Sequence, residues 1–293
     1  MYSKNIMVSS VFLFGSTGSI GKSLKKNIDL GMNLITIGRE GSNVEIQCNM
    51  DSYKDIARCM RECIAENECA IVVSCLGARH AIDCDRVDGD MNCNIVRACK
   101  EMNEGVITRF VLLSGACVDN PKIPLQHAKI RSENALIYSG IEYCIFRPTC
   151  FFKCFQRMWD RACDGKKIYV IGKGDYTTFG PMDEKDVAKA MIEYGLDVSK
   201  NRNSIIYLDG EEQYNAKSIA NELQKDKVKH IPFWFVNGFQ WLSGWILPKK
   251  IHETIKLVIY YNSVQMNLEN ANRCVKLKNG TALSYFNRQT EMT

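Results

Sequence analysis

The sequence predicts a doubly wound α/β fold, a parallel sheet covered by helices on both faces, and three observations carry that prediction. Apolar runs of strand length alternate with helical patterns along the first two thirds of the chain. Several runs, such as Ala70-Ile71-Val72-Val73-Ser74, are apolar without a break, as strands buried on both faces are. The first run, Val11-Phe12-Leu13-Phe14, breaks directly into glycines at 15, 18 and 21, and a helical pattern begins at once with Ile20, Leu24 and Ile28.

Taken in order, the first helix continues over 23–30 and ends at Gly31. A second strand, 33–37, leads into Gly38-Arg39-Glu40-Gly41-Ser42. A third strand is expected over 44–47 and a helix over 53–64. Strand 70–74 ends in Cys75-Leu76-Gly77, which places that loop above the carboxyl edge of the sheet. Helix 88–100 and strand 109–114 follow, with Ser114 where the strand leaves the sheet. Helix 125–139 and strand 141–147 complete the regular alternation. Beyond Arg147-Pro148-Thr149 the pattern loosens into helix 151–162, strand 168–171, helix 184–195 and strand 204–208. The remainder reads as mainly helical. The expected organisation is a dinucleotide-binding domain over 8–210 and a smaller, mainly helical C-terminal lobe over 211–293.

Composition narrows the function classes. A chain of 293 residues with 46% hydrophobic and 24% charged residues buries a sizeable core. Its net charge of +5 is mild and its basic residues are dispersed, so no nucleic-acid partner is expected. Fourteen cysteines in such a chain point to a reducing compartment and free thiols. None has the two-residue gap of a zinc site, so no metal is expected; Cys59/Cys63 and Cys150/Cys154 would share helix faces as small hydrophobes. The N-terminus shows neither a signal nor a transit peptide, which predicts a cytosolic protein, one encoded where it acts, or a processed form.

The glycine turn is the candidate phosphate site. Gly15 permits the tight turn, Gly18 lets a pyrophosphate approach the backbone, and Gly21 lets the helix pack closely. With Ser16, Thr17, Ser19 and Ile20 these residues surround a helix N-terminus, whose N–H groups and dipole attract anions. Arg39, at the end of the second strand, suits a 2′-phosphate where an acidic residue would have bound a ribose hydroxyl, which argues for NADPH. Cys75, Leu76 and Ser114 are expected beside the cofactor.

A second stretch stands out over 231–247. Trp234, Trp241 and Trp245 fall there among Phe233, Phe235, Val236, Phe239, Leu242 and Ile246, with Lys249-Lys250 beyond. It is too short and too interrupted to span a membrane. A core or pocket-lining helix and a peripheral membrane contact are the two readings, and they are compatible.

Hydride transfer also needs a proton donor or a sink for charge. In ordinary short-chain dehydrogenases a Tyr-x-x-x-Lys pair serves. Lys129 occupies the lysine position in Gln126-His127-Ala128-Lys129, but Leu125 stands where the tyrosine would be. Lys129 can still hold the nicotinamide ribose and supply positive charge; His127 is either an acid or a surface histidine.

This combination is similar to the atypical, NmrA-like short-chain reductases. Within them the chain resembles the NADPH-dependent divinyl chlorophyllide a 8-vinyl reductases. The resemblance runs in order through Gly15-Ser-Thr-Gly-Ser-Ile-Gly21, Gly38-Arg-Glu-Gly-Ser42, Val72-Val-Ser-Cys-Leu76 and Phe110-Val-Leu-Leu-Ser114. It continues through Gln126-His-Ala-Lys129, Arg147-Pro-Thr-Cys-Phe-Phe-Lys153 and Pro181-Met-Asp-Glu-Lys-Asp186, and more weakly to Tyr285-Phe286. It implies hydride transfer from NADPH to the C8 vinyl group of a chlorophyll precursor, in a plastid, with the macrocycle delocalising the charge that a tyrosine would otherwise neutralise. Under it Arg39 takes the 2′-phosphate, Lys129 the ribose, and Pro148, Thr149 and Phe151 border the nicotinamide. Phe151, Phe152, Phe233, Trp234 and Trp241 would then meet the flat, hydrophobic pigment. A non-catalytic NADPH-binding regulator or assembly protein, and a reductase of another hydrophobic substrate, are the competing expectations.

Overall fold

Strand positions follow from which apolar runs can be buried on two faces at once. In the computed structural model, which describes residues 8–28, 31–66, 68–102, 105–263, 268, 273–278 and 280–291, the central strand is β1 (Val8–Phe14), fully covered from Val11 to Phe14. It pairs in parallel with β2 (Asn33–Arg39), Phe12 opposite Ile35, and on its other side with β4 (Cys69–Ser74), Phe12 opposite Val72. β3 (Ile46–Cys48) extends the β2 side, while β5 (Ile107–Leu113) and β6 (Tyr143–Pro148) extend the β4 side, all in parallel. With β10 (Ser204–Gly210) and β12 (Cys274–Leu277), themselves a parallel pair, the order is β12-β10-β6-β5-β4-β1-β2-β3. The chain winds outward through β2 and β3, then returns to lay β4 on the far side of β1. That reversal opens a crevice at the carboxyl ends of β1 and β4, the place where doubly wound sheets bind ligands.

The chain divides into two compact units: Met1–Arg79, Asp83–Arg147 and Glu184–Ile206 in one, His80–Ile82, Pro148–Asp183 and Tyr207–Thr293 in the other. In the first, helices α1 (Ser19–Asn27), α2 (Tyr53–Glu62), α3 (Asn92–Lys100), α4 (Pro124–Ile137) and, later in the chain, Glu184–Gly195 cover the sheet. Alternate strand residues feed one face, where Phe12, Phe14, Ile37, Val72, Phe110 and Leu112 pack with Ile56, Met60 and Ile95 from the helices. Ser52 caps α2 by accepting the Asp55 N–H. The stretch expected as one helix over 88–100 is instead two pieces: a π-helical turn, Asp85–Met91, runs into α3.

One buried cation ties the first unit together. Arg109 is 0% exposed in β5; its Nε donates to Glu142 at 2.8 Å, and its guanidinium also reaches the carbonyls of Gly195, Asp197 and Val198 at 3.2, 2.6 and 3.1 Å. Every donor edge is engaged, which is what permits a charge there.

The second unit is held by aromatics. Phe152 stacks on Tyr285 with ring centroids 5.1 Å apart, and Trp159 on Phe286 at 5.3 Å. It contains the short pair β7 (Cys150–Phe151) and β9 (Pro181–Met182), and the parallel pair β8 (Ile168–Ile171) and β11 (Val228–Ile231). Its helices are α5 (Gln156–Cys163), α7 (Ala216–Gln224), α8 (Phe233–Ile246), α9 (Lys249–Ser263) and α10 (Ala282–Glu291), which leaves the label α6 for Glu184–Gly195. The described residues after 210 are mainly helical, but β11 and β12 lie among them, in short runs with too few residues to declare a period; the second unit also takes in 148–183, outside the lobe expected over 211–293. Among the described residues no helix is long and apolar enough to cross a membrane. All fourteen cysteines are free thiols.

Candidate functional site

The turn between β1 and α1 is a cradle made of backbone. Gly15 has φ +86°, and a Cβ there would lie 2.8 Å from the Cys75 carbonyl; one on Gly21 would lie 2.1 Å from the Gly15 oxygen. Packing alone therefore demands these two glycines. Gly18 is different: a Cβ on it would meet only the Gly15 oxygen, at 3.4 Å, so its glycine keeps open the space above the helix N-terminus. The Gly18 N–H closes the turn on the Gly15 carbonyl at 3.1 Å. α1 then begins with no side-chain cap and no acidic residue in its first turn, so its N–H groups and positive dipole end are left for an anion. Thr17, Gly18 and Ser19 are exposed around that space, while Ser16 and Ile20 are buried beneath it.

The neighbouring strand ends fit the rest of a dinucleotide. Arg39 ends β2 with its side chain exposed and in no ion pair with a described residue. The Gly38–Ser42 turn holds it there: Ser42 N–H donates to the Arg39 carbonyl at 3.2 Å, and a Cβ on Gly38 would strike the Ser42 hydroxyl. Cys75 serves the cradle structurally, its N–H bonding the Phe14 carbonyl at 3.0 Å and its thiol the same oxygen at 3.2 Å. Burial pushes that thiol up to about 12. Leu76, next in the loop, is half-buried against the core.

Ser114, just beyond β5, carries the most telling atom. Its N–H is bonded to Phe146, but its hydroxyl is buried with no hydrogen-bond partner. A buried polar atom without a partner in a native fold calls for a ligand or ordered water. Beside it Lys129 projects from α4, its stem lying where a Cβ on Gly115 would touch it at 3.5 Å. The ammonium is 3.0 Å from Asp88 Oδ1, and Asp88 Oδ2 accepts the Ala78 N–H at 3.0 Å. Asp88 is 2% exposed, so the pair sits inside the fold. The π-helical turn aims Asp88 inward, and such turns recur at functional sites. Gln126 is not a ligand candidate: its carbonyl oxygen accepts the Lys122 N–H at 2.8 Å and secures the loop entering α4. His127 is exposed.

In the second unit, Pro148 ends β6 and Thr149 commits its hydroxyl to Asp209 at 2.6 Å. Phe151 is half-buried in β7. The Phe152 ring, by contrast, is 1% exposed and packed between Tyr285 and Tyr214, a core place rather than a lining one. Phe233 covers Gly172 and lines a cavity of about 470 Å³ with Ile171, Gly174, Tyr176 and Pro232. Trp234 and Trp241 stand outside it, 75% and 73% exposed. Expectation of a core helix for this stretch fails at these residues, because α8 turns its large side chains outward. Among the described residues no cluster of metal-binding side chains exists.

Over 220 residues, 67% of its length, the chain is 29% identical to the chloroplastic divinyl chlorophyllide a 8-vinyl-reductase of Cucumis sativus. The chain is thus similar to the 8-vinyl-reductases over two thirds of its length. It spans 52% of that reductase, about half its length. It is also 24% identical to the photosystem II assembly factor Ycf39 of Guillardia theta, over 80% of this chain and 77% of that one. The triphenylmethane reductase of Citrobacter sp., solved with NADP(H), superposes with a TM-score of 0.68 at 15% identity, covering 95% of this chain and 99% of its own, which is a likeness of fold. No protein-family model matches.

The structure brings Gly15–Gly21, Cys75, Ser114 and Lys129 to the carboxyl edge of the first unit's sheet. It adds Asp88, which sequence reasoning missed, because an aspartate in the run Asp85-Arg86-Val87-Asp88-Gly89-Asp90 reads as solvated surface. Its one trace was Gly89, whose missing Cβ lets the Arg131 guanidinium lie across the π-helical turn.

Proposed function

We propose that this chain is an NADPH-dependent reductase that converts the C8 vinyl group of a divinyl chlorophyll precursor to ethyl, in a plastid. Its kinship with the 8-vinyl-reductases carries the reading. Support from the geometry comes from a backbone cradle open at Gly18, an unpaired Arg39 and the partnerless Ser114 hydroxyl in one unit.

In this reading the Gly15–Gly21 turn binds the pyrophosphate and Arg39 the 2′-phosphate. Ser114 gives its free hydroxyl to the nicotinamide end. Lys129 holds the ribose hydroxyls, oriented by Asp88. Pro148, Thr149 and Phe151 follow β6 and border the nicotinamide; Phe151 and Phe233 contribute apolar surface to the pigment. NADPH supplies the hydride when bound. Leu125 stands where a phenol would, so the residues at this edge orient the substrate, its conjugated ring takes up the charge that hydride addition leaves, and a proton from water then completes the ethyl group. The Lys129 ammonium adds fixed positive potential next to that ring. Peripheral contact with a membrane, the source of such a pigment, completes the reading.

The test is a dark assay of the full chain with NADPH and divinyl chlorophyllide, followed by chromatography. An 8-ethyl product supports the proposal. NADPH binding without conversion would favour the second reading, a non-catalytic assembly protein, to which the likeness to Ycf39 points.

A further inference from the structure

Helix α8 is amphipathic in the wrong direction for a helix that packs a core. Trp234, Phe235, Phe239, Trp241, Leu242, Trp245 and Ile246 are all between 45% and 82% exposed. At 3.6 residues per turn they cover a continuous arc of roughly 160°. The opposite side carries Phe233, Val236, Asn237, Gln240, Ser243 and Gly244, and the two that meet His252 of the next helix are small. Ser243 is 1% exposed and hydrogen-bonds His252 of α9 at 2.8 Å, and a Cβ on Gly244 would lie 3.3 Å from the same ring. The α8–α9 hairpin is thus zipped along its polar seam, with its aromatic ridge turned away from its own partner helix.

Charge says what the ridge meets. Between Asp226 and Glu253 the chain carries Lys227, Lys229, Lys249 and Lys250 and not one carboxylate. Lys249 and Lys250 are exposed and follow α8 directly, across Leu247-Pro248. Interfaces between proteins are depleted of lysine at their cores, whereas tryptophan over a basic rim is the composition of helices that lie in a lipid headgroup layer. At 14 residues α8 is about 21 Å long, short of the roughly 30 Å hydrocarbon core, so it lies in the plane rather than across it.

We propose that α8 is an in-plane anchor that seats this chain on an anionic bilayer, with Trp234, Trp241 and Trp245 inserted among the acyl chains and Lys249 and Lys250 on the headgroups. The inference deepens the membrane contact of the preceding section and rests on that part of it. It gives the enzyme a fixed orientation toward a pigment dissolved in the membrane.

Flotation of the full chain with vesicles tests it, comparing neutral phosphatidylcholine with a mixture containing phosphatidylglycerol. Binding to the anionic mixture should exceed that to neutral vesicles by on the order of tenfold and weaken with salt. Lys249→Glu with Lys250→Glu should remove that preference while leaving reduction of detergent-dissolved pigment at the wild-type rate. A triple Trp234→Ser, Trp241→Ser, Trp245→Ser variant, its NADPH binding retained as proof of folding, should not float at all. Brominated acyl chains should quench the wild-type tryptophan fluorescence. Flotation unaffected by the triple substitution would overturn the anchor, as would a wild type that binds no vesicles. A dimer that the triple variant dissolves, without vesicle binding, would assign the ridge to a second copy and equally overturn it. NADPH binding and pigment reduction in detergent report on the reductase reading separately, so either proposal can fail alone.

Discussion

In the proposed reading a single side chain, Arg39, decides cofactor choice. If Arg39 holds a 2′-phosphate, Arg39→Glu should weaken NADPH on the order of 100-fold through lost pairing and new repulsion, with NADH nearly unchanged. Equal losses for both cofactors, measured by fluorescence titration, would remove Arg39 from that role. Asp88 acts one step further back. Asp88→Asn keeps the shape but frees the Lys129 ammonium, and NADPH affinity should fall on the order of tenfold, the worth of a charge-assisted bond. Asp88→Glu should recover part of it. Cys75 tests the cradle by its silence. A thiol raised to about 12 by burial is protonated at pH 8, with about one molecule in ten thousand as thiolate. Alkylation at pH 8 followed by mass spectrometry should therefore mark exposed Cys163 and spare Cys75, and the reverse order would mean an open cradle.

Elements show where physical pattern was legible and where it was not. Strand 70–74 and helix 184–195 declared themselves because burial on both faces, or a full helical period, leaves few alternatives, while strand 168–171 showed as alternation, with Ile168 and Val170 buried and Tyr169 exposed. The glycine turn was legible for the same reason: three backbone demands fall at fixed spacing. The π-helical turn at Asp85–Met91 was not, since one extra residue per turn leaves no periodic trace in seven residues. Helix α8 was read as a helix correctly, but an amphipathic pattern has a face and no direction, so it cannot say whether a core or a bilayer lies opposite. Arg109 was also hidden, reading as the polar start of a strand. Because its buried guanidinium engages Glu142 and three carbonyls at once, Arg109→Met should cost about 3 kcal/mol or more. Urea unfolding of the variant with cofactor binding retained in native buffer would show that its work is structural.

At the scale of the whole molecule, the first unit has the sheet order and glycine cradle that the proposed dinucleotide site needs, and the second unit carries exposed aromatic surface beside a separately packed core. Phe152 illustrates the limit of motif reading: its segment was expected to meet a pigment, yet its place is to hold Tyr285 and Tyr214 together. The central claim is that hydride passes directly from a nicotinamide to the pigment. Turnover of divinyl chlorophyllide with NADPH deuterated at the transferring position of the nicotinamide tests it most directly, read by mass spectrometry of the pigment. A single deuterium in the new ethyl group is the expected result; an unlabelled ethyl group, or no ethyl product from protein that binds NADPH, would contradict it.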